Sequence, residues 1–212
     1  MTVTIYLIRH AESAHNVSKD FSHRDPPLTD LGRKQASALV QSFPDPASIA
    51  VVLTSPLTRT LETTLAAFNH VLDKEFVGGT DGGARLILEP GLQERSDQPC
   101  DTGSDRAILE KRFPNLDFRV LGDNWYMKEG AYTAEDAAVS ARAERVRQRL
   151  FDLEKELERN ISEERRNIVV VTHGVFMKFL SRDETIDLPK AGWKAYTVIG
   201  RDDGKAVLRP VE

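Results

Sequence analysis

The feature that most constrains the fold is a series of short, β-branched apolar runs separated by helical patterns. The run at residues 168–172 is apolar almost throughout, which is typical of a strand buried on both faces. Residues 3–8, 49–54 and 85–89 are also predicted strands, and amphipathic stretches lie between the runs. This alternation predicts an α/β fold, a three-layer sandwich with a mostly parallel central sheet flanked by helices.

Capping residues and apolar spacing predict where the helices begin. Thr29 is a predicted N-cap, and Ser55 is predicted to cap a second helix whose first turn contains Pro56. The sequence from Thr133 to Asp136 matches a capping box. The long helix that it begins has one apolar seam: Val139, Ala143, Val146, Leu150, Leu153 and Leu157. Four arginines of this helix could form a basic patch: Arg142, Arg145, Arg147 and Arg149. A solvated, salt-bridged face is favoured instead, because one stripe also carries acids: Arg145, Arg149, Asp152 and Glu156.

The remaining segments are turns and a final hairpin. Residues 194–200 and 205–210 predict two strands that turn at 202–204. The glycine-rich stretch 78–83 is predicted to be a loop, because no Lys-Ser/Thr follows it and no helix starts there. We expect one domain over residues 1–212, with a lid or specificity insertion at about 95–133 that contains a short helix around 104–112. Within that insertion the sequence leaves open whether three side chains line a pocket or pack: Trp125, Tyr126 and Lys128.

Composition excludes some functions. The net charge of −4 argues against nucleic acid or an anionic membrane as a partner. One cysteine, Cys100, excludes an intramolecular disulfide and a zinc site built on several cysteines. No signal peptide or spanning segment is recognisable, so we expect a cytoplasmic protein. The oligomeric state cannot be read from the sequence.

Polar side chains follow the predicted strands, at the point where each strand ends. Arg9 and His10 end the first strand, Arg59 lies shortly after the second, Glu94 after the third and His173 after the fourth. In an open α/β sheet, ligands bind outside the carboxyl ends of the strands. We therefore expect two histidines, two arginines and a carboxylate to meet at one edge of the sheet.

Five segments, in order, resemble the motifs of the histidine phosphatase superfamily, in its phosphoglycerate-mutase-like branch. Residues 7–16 contain Arg-His-Ala-Glu and an asparagine six residues after the histidine, with alanine where the family pattern has glycine. Residues 27–32 resemble the Leu-Thr-x-x-Gly helix start, and residues 54–59 the second arginine motif. Residues 92–94 are similar to the acid motif, and residues 171–174 to the second histidine motif.

The resemblance implies a phosphatase that hydrolyses phosphomonoesters through a phosphohistidine on His10, with Glu94 as the proton donor. It implies that four further side chains bind the phosphoryl group: Arg9, Asn16, Arg59 and His173. The other histidines match no such role and are expected at the surface or in packing positions: His15, His23 and His70. The substrate is expected to be a small phosphate ester.

We expect no cofactor and no metal, because two arginines and a protonated histidine can supply the positive charge that phosphoryl transfer needs. Two alternatives stay open: a phosphoglycerate-type mutase, and a non-catalytic phosphate-binding domain on the same fold. Asp97 and Asp101 follow the acid motif, with only Arg95 as a nearby cation. These acids argue against the second anion-binding site that a mutase requires.

Overall fold

A six-stranded sheet forms the centre of the structure, a computed structural model that describes residues 2–77, 79–159 and 165–211. Its strand order is β3-β2-β4-β1-β5-β6. Strands β1 to β4 are parallel to one another, β5 pairs with β1 in the antiparallel direction, and β6 pairs with β5 in the antiparallel direction. The predicted α/β class with a mostly parallel sheet is therefore confirmed. The strands are β1 (Ile5–Arg9), β2 (Ile49–Thr54), β3 (Arg85–Leu88), β4 (Asn167–Thr172), β5 (Trp193–Gly200) and β6 (Ala206–Pro210).

Seven α-helices connect these strands within the described residues. They are α1 (Ala14–Ser18), α2 (Asp30–Ser42), α3 (Thr58–Phe68), α4 (Lys74–Val77), α5 (Arg106–Arg112), α6 (Asp136–Arg159) and α7 (Gly174–Ser181). Helices α2 and α3 cover one face of the sheet, while α6 and α7 cover the other. The short helix α4 was not predicted. Gly78, part of the predicted glycine-rich loop, lies outside the described residues.

Strand β4 explains why the apolar runs of this sequence form a covered sheet. Ile168 and Val170 point into the cluster beneath α6 and α7, whereas Val169 and Val171 point into the cluster beneath α2 and α3. All four side chains are inaccessible to solvent. Burying one such side chain contributes roughly 1.5–3 kcal/mol, so the two faces together fix the position of β4 at the centre.

Two predicted helix starts had different outcomes. The Thr29 cap is confirmed, because its hydroxyl oxygen accepts a hydrogen bond from the Gly32 nitrogen at 2.9 Å. Position 32 also requires glycine, since a Cβ there would overlap the carbonyl oxygen of Glu12. The Ser55 cap is wrong. Helix α3 begins at Thr58 with Leu57 at its N-cap position, so Ser55 lies three residues before the helix, where its nitrogen bonds to β4.

The long helix α6 packs by the predicted seam but not by the predicted polar face. It begins at Asp136, after a 3-10 turn at Gly130–Tyr132. Arg142 and Arg147 are buried, so their assignment to a solvated face is wrong. Arg142 donates to the Gly91 and Gln93 carbonyl oxygens, and Arg147 reaches the carbonyl end of α7. The two arginines donate to backbone carbonyl oxygens of chain segments that turn against α6. Helical periodicity alone does not reveal such contacts.

Residues 95–133 form an irregular segment around α5, near the predicted position of its short helix. Trp125 is buried in a cluster with Leu57 and Leu61, which makes it a packing residue. The ring of Tyr126 lies under the guanidinium of Arg24. The Nζ of Lys128 donates to the Glu94 carbonyl oxygen at 2.9 Å, so Lys128 supports the backbone of the acid motif.

Across the described parts of the chain, no helix combines the length and the apolar character needed to cross a bilayer.

Candidate active site

A cleft of about 370 Å³ lies at the carboxyl edge of the sheet. It brings together most of the side chains that the sequence predicted to meet there. The described residues that line it are Arg9, His10, His15, Asn16, Phe21, Arg59, Glu94, Gln98, Cys100, Asp101, Gly174, Val175, Lys178, Asp187 and Lys190. His173 is not among them, because it is completely buried behind Arg59.

Backbone hydrogen bonds hold the ends of three adjacent strands in register at the base of the cleft. The His10 nitrogen donates to the Thr172 carbonyl oxygen at 3.0 Å, and the Ser55 nitrogen donates to the Val171 carbonyl oxygen at 3.1 Å. The ladders thus continue one residue beyond β1 and β2. His10, Ser55 and His173 are positioned by the sheet rather than by loops.

His10 is buried, and its orientation is fixed by one hydrogen bond. Its Nδ1 lies 2.7 Å from the Ala11 carbonyl oxygen, which can only accept, so Nδ1 carries the hydrogen. The Nε2 atom therefore keeps its lone pair. Burial, followed by the charges of Arg59 and Lys190, lowers the pKa of His10 well below the ordinary value of 6.5. His10 is neutral at pH 7 and can act as a nucleophile.

Arg59, in the first turn of α3, and His173, which follows β4, form a buried pair. The Arg59 Nη2 group donates to Asp101 Oδ1 at 2.8 Å and to His173 Nδ1 at 3.0 Å. Because Nδ1 accepts, the hydrogen is on His173 Nε2, which donates to Ser55 Oγ at 3.0 Å. Ser55 is thus a positioning residue that the sequence analysis assigned to a helix cap.

This geometry does not support the expectation that a protonated histidine supplies part of the positive charge. Burial, then the charges of Arg59 and its neighbours, lowers the pKa of His173 well below 6.5. Its Nδ1 lone pair is needed to accept from Arg59, which agrees with a neutral ring. The positive charge around the cleft therefore comes from arginine and lysine side chains.

Arg9 lies at the mouth of the cleft in a more exposed setting. Its Nη1 donates to Asp187 Oδ1 at 2.9 Å and to the Leu188 carbonyl oxygen at 2.5 Å. The guanidinium lies against Gly174, where a Cβ atom would come within 3.1 Å of it. The glycine of the second histidine motif therefore gives Arg9 room to lie flat against the start of α7.

Glu94 is held at the N-terminus of α7. Its Oε1 accepts from the Phe176 nitrogen at 2.8 Å and from the Arg95 nitrogen at 2.8 Å, and its Oε2 accepts from the Val175 nitrogen at 3.1 Å. A carboxylate is favourable at a helix N-terminus because the backbone N–H groups there lack partners. The predicted proton donor thus lies in the cleft wall, with His10 in the same cleft.

Asn16 lines the cleft, and so does His15, which was expected at the surface or in a packing position. His15 is buried and also lines the cleft, with its ring centroid 6.3 Å from that of His10. Its Nδ1 lies 3.1 Å from Ser13 Oγ and its Nε2 lies 3.0 Å from Asn16 Nδ2. Burial lowers the pKa of His15 to about 4, with a further contribution from Arg59. His23 and His70 are exposed, as expected.

Three side chains that lie close together in the cleft are of the types that bind metal ions. Ligand atoms of His15, Cys100 and Asp101 lie within 4.8 Å of one another. Asp101 is already bound by Arg59 and by Ser96 Oγ at 2.6 Å, and the cationic side chains nearby repel a metal ion. The protonated thiol also disfavours metal binding, because burial raises the pKa of Cys100 to about 11.

Two cations in the cleft were missed by the sequence analysis. Lys178 projects from α7, and Lys190 follows that helix in the segment that leads to β5. The sequence analysis assigned the positive charge of the site to Arg9, Arg59 and a histidine and did not include these lysines. Arg95, the one cation predicted near the acid motif, instead pairs with Asp136 at 2.7 Å. No motif marks either lysine, since each depends on how the chain after His173 folds back.

The fold and cleft together define the class of protein: an α/β domain whose sheet edge presents a neutral histidine among arginine and lysine side chains. The family model of the histidine phosphatase superfamily (branch 1) matches residues 5–202. The chain belongs to this family. A Schizosaccharomyces pombe protein named as a probable phosphatase is 32% identical over 197 residues, covering 88% of this chain and 83% of the relative. An Arabidopsis thaliana phosphoglycerate mutase-like protein is 26% identical over 150 residues, or 56% of this chain and 54% of the relative.

Solved structures share the fold across nearly the whole chain. The alpha-ribazole phosphatase of Shigella flexneri is 23% identical with a TM-score of 0.58, and the match covers 99% of this chain and 96% of that one. A mycobacterial glucosyl-3-phosphoglycerate phosphatase is 19% identical with a TM-score of 0.59, covering 99% and 98%. The phosphoserine phosphatase of Entamoeba histolytica is 22% identical with a TM-score of 0.53, covering 97% and 94%.

Proposed function

We propose that this histidine phosphatase hydrolyses small phosphomonoesters by transferring the phosphoryl group to Nε2 of His10. The observation that carries the proposal is the hydrogen bond from His10 Nδ1 to the Ala11 carbonyl oxygen, which leaves the Nε2 lone pair free. The lowered pKa of His10 keeps that lone pair available near neutral pH. Family membership supports the same chemistry.

The reaction proceeds in two steps with Glu94 in both. In the first step, the Nε2 lone pair forms a bond to phosphorus, the ester P–O bond breaks, and the acid form of Glu94 protonates the leaving oxygen. In the second step, the Glu94 carboxylate takes a proton from water while the water oxygen attacks phosphorus. The P–N bond then breaks, its electron pair returns to His10, and phosphate leaves.

Arg9, Asn16 and Arg59 hold the transferring oxygens, while His173 acts from behind by positioning Arg59. An arginine has five N–H donors in a planar fork, so two arginines can hold the charge of a phosphoryl group along two edges. Residues 95–133 are proposed to shape specificity, because Gln98, Cys100 and Asp101 from that segment line the cleft. The named substrates of the structural relatives differ from one another, so we assign the substrate class as phosphomonoesters.

The first experiment replaces the nucleophile. We expect His10→Ala to lower kcat on p-nitrophenyl phosphate by roughly 10³-fold or more while the circular dichroism spectrum is unchanged. Alkaline quenching of the wild type, followed by mass spectrometry, should place one phosphoryl group on the peptide that contains His10. His70→Ala, at an exposed histidine, is the matched control and should keep full activity. Substantial turnover by His10→Ala would disprove the phosphohistidine mechanism.

Chelation with EDTA should leave the wild-type activity intact, and vanadate should inhibit because its five-coordinate form resembles the transition state. A strict requirement for added magnesium or zinc would contradict this site.

Mutase activity is the second candidate, because Lys178 and Lys190 supply the additional cations that an acceptor with its own anionic group needs. Incubation with 3-phosphoglycerate, with and without 2,3-bisphosphoglycerate, distinguishes the two. We expect free phosphate to appear faster than 2-phosphoglycerate. Isomer formation that greatly exceeds phosphate release would replace the phosphatase assignment.

A further inference from the structure

Lys190 is a half-buried cation in the cleft that lacks a partner. It lines the cleft beside the predicted nucleophile, yet it forms no hydrogen bond or ion pair with any other residue in the described part of the chain. Burying an amino group without a partner is unfavourable, because the group loses water that nothing replaces. A half-buried lysine in this environment is a candidate anion-binding residue.

The backbone around Lys190 is fixed to the strand that carries His10. The Arg9 nitrogen donates to the Gly192 carbonyl oxygen at 3.0 Å, and the Ala191 nitrogen donates to the His10 carbonyl oxygen at 3.4 Å. Between these bonds Ala191 has a φ of 58°, a left-handed conformation that alanine rarely adopts. The two backbone bonds hold Ala191 in this conformation, which places Lys190 next to the end of β1.

The charges around the cleft show why a further cation is needed. Asp101 is buried and pairs with Arg59, so it offsets much of the positive charge of that arginine. His10 in the cleft and His173 behind it are both neutral, in agreement with their lowered pKa values. Arg9 is paired with Asp187, although that carboxylate is exposed and screened by water. A phosphomonoester arrives as a dianion near neutral pH.

We propose that Lys190 binds the transferring phosphoryl group and replaces the positive charge that Asp101 offsets on Arg59. This inference rests on the proposed function and adds a phosphoryl-binding residue to it. Lys190 contacts an oxygen of the phosphoryl group, so its effect is larger in the transition state, where charge on those oxygens is redistributed.

The titration of Lys190 provides a readout that a structural role would not change. Burial, then the charges of Arg9 and Arg59, lowers its pKa to about 8. Lys190 is therefore charged at pH 7 and loses its charge as the pH rises through about 8, so binding of the dianion weakens above that pH. The charged or titratable groups that face it, or that share its cleft, are Arg9, His10, His15, Lys19, Arg59, Glu94, Cys100, Asp101, Lys178 and Asp187.

The experiment compares Lys190→Met, Lys190→Arg and the control Lys34→Met, which changes an exposed lysine on α2. We expect Lys190→Met to lower kcat/KM for p-nitrophenyl phosphate about 10²-fold, as loss of one preorganised charge contact typically does. Lys190→Arg should recover most of that loss. Since kcat/KM reports the free enzyme, the wild-type value should fall above about pH 8, and Lys190→Arg should move this alkaline limb upward.

Burial also lowers the pKa of Lys128 to about 8, the same pH range as that of Lys190. Because Lys128 is present in every variant, the role of Lys190 is judged from the differences in kcat/KM and pH dependence between variants. The double variant Asp101→Asn/Lys190→Met should recover part of the lost kcat/KM, because it removes one negative charge together with one positive charge. The same order of variants is expected in the affinity for inorganic phosphate, measured by calorimetry.

Three outcomes would overturn the inference: no change in Lys190→Met, an equal loss in Lys190→Arg, or an alkaline limb at the same pH in wild type and Lys190→Arg. The calorimetric affinity is independent of turnover. If phosphate affinity follows Lys190 while His10→Ala retains activity, the phosphohistidine mechanism fails and the binding role of Lys190 stands.

Discussion

The two sides of the cleft are built in different ways. On the strand-end side, His10 and Ser55 continue the sheet ladders onto β4, and the Ser55 hydroxyl bonds to His173 within the buried interior. On the loop side, the turn at 98–101 is held by bonds with Phe21 and Arg59. The segment at 187–190 accepts hydrogen bonds from the Arg9 side chain. The comparison indicates that the strand-end side sets the reacting geometry, while the loop side sets the charge and shape.

The two arginines illustrate the same difference. The Arg59 side chain is 1% exposed and is bound by the Cys100 carbonyl oxygen, Asp101 and His173. The Arg9 side chain is 23% exposed, and its carboxylate partner Asp187 is 84% exposed. Arg59 is therefore held at a fixed position in the interior, whereas Arg9 lies at the mouth of the cleft in a pair that water can reach.

Among the variants that test this comparison, the largest effect is expected from Glu94→Gln. Glutamine keeps the shape of the side chain but cannot transfer a proton, so kcat should fall by about 10²–10⁴-fold and the defect should shrink for acidic leaving groups. Glu89→Gln is the matched control, because Glu89 and Glu94 are both 9% exposed and Glu89 lies outside the cleft lining. Steady-state kinetics on a series of aryl phosphates measures both. An equal loss on every leaving group would mean that another residue donates the proton.

A smaller effect is expected from Ser55→Ala, which tests whether the strand-end side sets the geometry. Removing Oγ leaves the Nε2 hydrogen of His173 without an acceptor, so the His173–Arg59 pair loses its orientation and kcat/KM should fall about tenfold. Ser48→Ala, at the opposite end of β2, removes a similarly buried hydroxyl bonded to Asn167. Both variants should lose about 1–3 kcal/mol of stability in urea unfolding, but only Ser55→Ala should lose activity. Equal activity in the two variants would contradict the positioning role.

The smallest effect is expected on the loop side, from Asp187→Asn. Its ion pair with Arg9 is exposed, and such pairs contribute about 0–1 kcal/mol, so kcat/KM should stay within about threefold of wild type. Kinetics at low and high ionic strength provide the measurement. A tenfold or larger loss would mean that the loop side fixes Arg9 as firmly as the interior fixes Arg59.

The sequence predicted the sheet strands and the five strand-end residues, because these depend on local patterns. Apolar runs such as 168–172 have one stable environment, the centre of a covered sheet, and the residue that follows a parallel strand must lie at its carboxyl edge. The predictions failed where a partner distant in the sequence decided the outcome. Ser55 forms its bond with His173 and not with its own helix, and Arg142 is buried by the turn at 91–94.

By itself, then, the sequence determined the α/β class, the family resemblance and the identity of the residues at the strand ends. Only the tertiary structure decided that His173 is neutral, that Asp101 pairs with Arg59 and that Lys190 lies beside His10. The reason is physical. Periodicity and capping act over a few residues, whereas protonation and charge balance depend on burial and on charges that the fold brings together from distant parts of the chain.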